Sequence, residues 1–272
     1  MCGKPTLAFI TSTLLLAELA TSYADELAVK GREIFNRHQH TVVTVQTVMK
    51  VSAPSGRSNE TKRELTGTVI DPSGLAVLAL SACDPTEMYR RMSEDAKVEI
   101  EVSDIKILLD DGVELPAEIV LRDRDLDLAF IRPKTKPTSA LAAVDLGKSG
   151  SAQVLDELIT LNRLNKAASR AYAVSVERVS AVIQKPRTFY VPDSAMSATT
   201  LGCPAFLPNG NVLGIFVMRA VSSSGASERP NLTAIILPAE DILKAAKQAP
   251  EVKSEGEKKG EPPDPKESVE KK

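Results

Sequence analysis

From about residue 41 to residue 247, apolar positions come in short runs of strand length, and turn residues punctuate them. Thr41–Val51 is rich in β-branched residues and alternates apolar and polar over its second half, which predicts a strand. Ser52–Lys62 is polar, broken by Pro54 and Gly56, and reads as a loop. Leu65–Ile70 is a second strand, Asp71-Pro72-Ser73-Gly74 a tight turn, and Leu75–Leu80 a third strand. The third run is apolar throughout, so both of its faces are expected to be buried. Ile105–Leu121 reads as a hairpin closed at Asp111-Gly112 and is followed by Arg122–Ile131. After a linker at Lys134–Ala143, strand runs return at Asp156–Leu161, Ala173–Val176, Val179–Ile183, Val212–Val217 and Thr233–Pro238. Helical character is confined to Asp25–Asn36, to Pro85–Met92 and to Ala239–Lys247. The pattern predicts an all-β protein with short flanking helices.

Length and composition narrow this. A chain of 272 residues suits one all-β double barrel or two small domains, and 43% hydrophobic with 26% charged residues is ordinary for a globular protein. The absence of Trp and an aromatic share of 4% imply an aliphatic core and no stacking platform for bases or sugars. A net charge of -2 leaves no basic footprint for nucleic acid or an anionic membrane. At the N-terminus, Lys4 precedes an apolar run from Leu7 to Ala17, and Ser22-Tyr23-Ala24 fits a small-x-small cleavage site. Residues 1–24 are therefore expected to be a signal peptide and the mature protein to be exported, periplasmic or secreted, with no membrane anchor after cleavage. Residues 249–272 are dominated by Glu, Lys, Pro, Gly and Ser, too polar to order themselves on a core.

The densest local signal is Thr199–Ile215: an apolar stretch, Pro208, the hairpin dipeptide Asn209-Gly210 and a second apolar run. Asn-Gly predicts a tight turn with positive φ at both residues. This stretch resembles the nucleophile loop of trypsin-like serine proteases of the HtrA/Deg type, which runs G-N-S-G-G-x-L and then reaches an N-G turn and an apolar strand ending G-I. Aligned on the turn, the nucleophile position falls on Leu201. The resemblance extends to Asp71-Pro72-Ser73-Gly74 and the strand after it, where the family's T-N-x-H-V-V places the histidine position on Ser81. Arg122–Ile131 resembles the family's R-D-x-x-x-D-L-A-V-L, which places the orienting aspartate on Asp127. It covers about residues 38–247. It implies two six-stranded antiparallel β-barrels of the trypsin-like kind, at 41–133 and 146–248. These would be preceded by a helical segment at 25–40 and joined by a linker at 134–145, with no second, peptide-binding domain after them.

The same resemblance implies a serine endopeptidase, yet the aligned residues argue against the chemistry. A leucine has no attacking atom, and the hydroxyl of Ser81 does not titrate near neutral pH. Thr199 and Thr200 replace the Gly-Asn that precedes the family's nucleophile, which puts the oxyanion hole in doubt. The function expected is that of a proteolytically inactive homologue that binds a protein or peptide ligand, with no cofactor and no metal. The alternative is a hydrolase with unconventional activity through Ser194, Ser197, Thr199, Thr200 or Cys203, and a third reading is a structural protein of the cell envelope. His38 and His40, the only histidines, stand two apart at the start of the first strand without a ligand cluster around them. Cys83 and Cys203 each lie two residues past a degenerate catalytic position. If the two loops converge as the resemblance implies, these cysteines could form a disulfide across the cleft, worth about 3–5 kcal/mol if unstrained; the alternative is two buried thiols that behave as small hydrophobes.

Overall fold

The computed structural model describes residues 26–52, 58–86, 99–193, 200–221 and 231–251. The predicted signal peptide, most of the Pro85–Met92 helix and the charged tail lie outside these residues. A helix over 26–38 (α1) and a single 3-10 turn at Gln39–Thr41 lead into the first barrel. Its strands are β1 (Val42–Ser52), β2 (Ser58–Val69), β3 (Ala76–Ala79), β4 (Glu99–Leu108), β5 (Glu114–Asp123) and β6 (Leu128–Pro133), with a helical turn α2 (Leu80–Cys83) after β3. They close in the order β1-β2-β3-β6-β5-β4. The second barrel contains β7 (Glu157–Arg163), β8 (Tyr172–Ile183), β9 (Phe189–Pro192), β10 (Pro204–Phe206), β11 (Val212–Val221) and β12 (Asn231–Pro238), and a helix α3 (Ala239–Ala246) follows it. It closes in the order β10-β11-β12-β9-β8-β7. All twelve strands pair antiparallel. No helix among the described residues is long and apolar enough to cross a membrane.

The apolar run at β3 is buried on both faces, for a specific reason. Ala76 and Leu78 point into the first barrel, where they join Val45, Ile107 and Ile131. Val77 and Ala79 point outward into a different cluster, shared with Ile159, Leu161, Phe206, Ile215 and Leu237 of the second barrel. Strand β6 divides in the same way, with Ala129 and Ile131 inside and Leu128 and Phe130 between the barrels. The barrels thus meet through an apolar seam of completely buried side chains, each contributing roughly 1.5–3 kcal/mol relative to exposure. Ile34 of α1 and Ile242 and Ala245 of α3 pack into that seam.

The structure departs from the sequence pattern in several places. The described residues of the polar stretch expected as a loop at Ser52–Lys62 are strand, because β1 ends at Ser52 and β2 begins at Ser58, paired as Ser52↔Ser58. Backbone pairing with β1, which is itself paired with β4 on its other side, carries this extension of β2, whose side chains there are exposed and polar. The two runs at Ala173–Val176 and Val179–Ile183 form one strand, β8, with an irregularity between Val179 and Ala181 in its pairing with β9. Leu80 closes the apolar run in a helical turn rather than in the strand. The Asn209-Gly210 turn is also different: Gly210 alone has positive φ (87), and its N–H donates to the Leu207 carbonyl at 2.8 Å. Pro208 and Asn209 therefore form the corner and Gly210 follows it, since the fixed φ of proline suits the first corner position.

Candidate functional site

Strand β3 ends at Ala79 and α2 then turns Ser81 toward the loop between β5 and β6. Asp127 sits in that loop at φ 57, and its carbonyl accepts the Leu80 N–H at 2.8 Å. Its side chain accepts three hydrogen bonds. One carboxylate oxygen (Oδ1) accepts the Ser81 backbone N–H at 2.6 Å. The other (Oδ2) accepts the Ser81 hydroxyl at 2.9 Å and the Met218 backbone N–H, from β11 of the second barrel, at 2.7 Å. Burial pushes the Asp127 carboxyl up to about 6, although all three hydrogen bonds pull it down. The pair that the structure brings together is thus Ser81 and Asp127, joined by a hydroxyl-to-carboxylate bond. Asp127 is engaged as a bonding carboxylate that also ties one barrel to the other.

Leu201 is 7% exposed and belongs to the apolar seam between the barrels. The residues after it are fixed closely. Gly202 has φ 89, donates its N–H to the Phe216 carbonyl at 2.8 Å and accepts the Thr68 hydroxyl of β2 at 2.7 Å. A Cβ at this position would stand 2.2 Å from the Thr66 carbonyl oxygen, so only glycine lets the loop lie against the first barrel. Ser194, Ser197 and Thr199 lie outside the described residues. Thr200 is described, and its carbonyl accepts the Cys203 N–H at 3.1 Å.

Of the two readings for the cysteines the structure has the second: Cys83 and Cys203 are buried thiols with no disulfide between them. Cys83 packs into the core of the first barrel and Cys203 into that of the second, so each sulfur is directed away from the cleft it was expected to bridge. Cys203 Sγ lies 3.4 Å from Asn162 Oδ1. Burial pushes the Cys83 thiol up to about 11 and that of Cys203 higher still. Neither presents a thiolate at neutral pH, which removes the ordinary route to a cysteine nucleophile.

The two histidines stand apart from this site. The His38 ring stacks on Phe206 with centroids 4.8 Å apart, and burial lowers its pKa. His40 Nδ1 lies 2.7 Å from Asp110 Oδ2. Tyr172 donates its hydroxyl to the same carboxylate, and Arg163 pairs with it at 2.8 Å. Arg163 and Tyr172 come from the second barrel and Asp110 from the first, so this cluster spans the seam. Among the described residues neither imidazole has a hydrogen bond to a Ser, Thr or Cys side chain, and no group of three or more His, Cys, Asp or Glu could hold a metal ion. The sequence gives no signal for the Asp110 cluster, whose members are distant along the chain, nor for Met218, which acts through a backbone N–H that any residue but proline supplies.

Beside Asp127 a cleft of about 380 Å³ opens between the barrels. Its first-barrel wall carries Ser81, Asp84, Arg122, Arg124, Asp125 and Asp127. Its second-barrel wall carries Arg187, Phe189, Val217, Met218, Arg219 and Ile235, among others. Arg219 lies over the Phe189 ring, 4.7 Å from its centroid.

Two closed six-stranded antiparallel barrels, meeting at a cleft with a half-buried aspartate on its wall, define a trypsin-like double barrel. Residues 65–215 match the trypsin-like peptidase domain family, and the chain belongs to it. It is also similar to the magnetosome formation protease MamE of Paramagnetospirillum magneticum, with 36% identity over 104 residues. That stretch is 36% of this chain and 14% of the length of MamE.

Proposed function

We propose that this chain is an exported, proteolytically inactive trypsin-like homologue that acts by binding another protein or peptide as a scaffold, decoy or regulator. The bond from the Ser81 hydroxyl to Asp127, together with Leu201 in the apolar seam, carries the reading. Peptide-bond hydrolysis by this family's chemistry needs an oxygen nucleophile, a titratable base beside it and a carboxylate to orient that base. At the aligned positions only the carboxylate is of the required kind. Binding and an oxyanion hole alone leave an acceleration on the order of a thousandfold over water. The pattern of residues 1–24 supports export, and Edman sequencing of the exported protein should begin at Asp25.

Two measurements test the loss of activity. The protein should fail to label with a fluorophosphonate probe and fail to cleave a denatured casein substrate. Labelling at a single residue near the cleft would overturn the reading in favour of an unconventional hydrolase. Restoring the two positions together, Ser81→His with Leu201→Ser, checks the alignment directly, because any peptidase activity gained reports a histidine and serine in register with Asp127. The partner remains a protein or peptide, and a pull-down from the exported fraction addresses its identity.

A further inference from the structure

We propose that the cleft beside Asp127 selects acidic peptide segments, holding side-chain carboxylates with Arg187 and Arg219 on its second-barrel wall. This rests on the reading that the cleft binds a protein or peptide, and it adds the chemical class of that ligand. The charges in the cleft are distributed unevenly. Its carboxylates all belong to the first barrel, and two of them are already engaged. Asp127 accepts three hydrogen bonds, and Asp84 accepts from the Thr86 backbone N–H and hydroxyl and lies 3.9 Å from Arg122. The residues lining the second-barrel wall include two arginines and no carboxylate.

Those two arginines are presented for use. Arg187 is exposed and has no ion pair among the described residues. Arg219 holds its guanidinium carbon 4.7 Å from the centroid of the Phe189 ring and likewise has no ion pair among the described residues. A guanidinium held against a ring can still grip a carboxylate through paired hydrogen bonds. The floor between the charges is apolar, with Val217, Ile235 and Leu237. The backbone beside it has room for an extended chain. On the β10 side Phe216 is still bonded to Gly202 and Cys203 and the Met218 N–H is held by Asp127, so only from Val217 onward is β12 the one strand paired with β11 among the described residues. The expected ligand is an extended segment in which acidic side chains flank an aliphatic one.

The test uses the mature, full-length protein and three fluorescein-labelled nonapeptides that share their aliphatic positions and carry Glu, Gln or Lys at two flanking sites. Fluorescence anisotropy at low salt should give the Glu peptide about tenfold tighter binding than the Gln peptide, as expected for two partly exposed charge pairs. The Lys peptide should bind weakest. The preference should shrink at about 0.5 M salt and invert in an Arg187→Glu/Arg219→Glu variant. Arg187→Glu alone, at an exposed side chain, should narrow the preference while the thermal midpoint stays unchanged, which keeps the result readable if the double variant unfolds. Equal affinities for the Glu and Gln peptides, or a preference that both variants leave intact, would overturn the acidic selectivity and leave peptide binding standing. Failure of all three peptides to bind would sink the selectivity and the peptide-binding reading together.

Discussion

Replacing Asp127 with asparagine should make the protein more stable at neutral pH and remove one component of its pH dependence. The carboxyl titrates at about 6 in the folded protein against an ordinary 3.8, so the folded state holds the proton more tightly than the unfolded chain does. For an acid with a raised folded value, stability is greatest below the unfolded value of 3.8, falls as pH rises toward about 6, and is flat above it. The difference of about two pH units corresponds to about 3 kcal/mol at 1.36 kcal/mol per unit. Asparagine has nearly the same shape and cannot ionise, so Asp127→Asn avoids that loss. It also places an amide N–H₂ where Oδ2 accepts the Met218 N–H, a mismatch worth about 1 kcal/mol at every pH. Other carboxylates, such as Asp71 and Asp110, are held below their ordinary value and oppose the trend, but they cancel when variant and parent are compared. The chain has no Trp, so the unfolding assay is urea titration followed by far-ultraviolet circular dichroism at several pH values from 4 to 8. The stability of the variant minus that of the parent should climb by about 3 kcal/mol between pH 4 and pH 6 and then level off. A flat difference, or one that falls with pH, would refute the claim that Asp127 is buried as a charge against its own preference.

Gly202→Ala should cost about 3 kcal/mol or more, read as a lower thermal midpoint, because the added Cβ meets the Thr66 carbonyl oxygen at 2.2 Å and the residue keeps φ 89. In the protein beginning at Asp25, which lacks Cys2, Cys83 and Cys203 should resist iodoacetamide in the folded state at neutral pH and both react after denaturation without reductant, giving a mass increase of two adducts. Arg163→Met should lower stability by about 2 kcal/mol in the same urea assay, since it removes the pair to Asp110 and the donors to the Leu108 and Arg170 carbonyls.

Much of this was legible in the sequence because barrel strands announce themselves through burial. Leu75–Leu80 read as apolar on both faces, and the structure explains why: one face fills a barrel and the other meets its neighbour. The antiparallel double barrel followed from the turns at Asp71–Gly74 and Asp111-Gly112 together with the family resemblance. What stayed hidden depends on pairing rather than on side-chain pattern. β2 extends to Ser58 because β1 is there to pair with it, and β9, four residues ending on Pro192, is too short to announce itself. At the site, Asp127 and Ser81 were identifiable by alignment, whereas the Met218 N–H that completes the carboxylate's bonding leaves no mark on side-chain identity. The cysteines were placed by counting along the chain, which says nothing about side-chain direction. Both turn inward.

The polar links across the seam have a mechanical consequence. Asp127 to Met218, Thr68 to Gly202, Asp110 to Arg163 and Glu64 to Arg170 fasten one barrel to the other at separate points, on top of the shared apolar contact. Two bodies riveted in this way have no soft axis along which to shut around a guest. The opening between them is a preset aperture, and whatever enters must bring its own compliance. A floppy segment would then bear nearly all the ordering cost of association, while the host arrives already shaped.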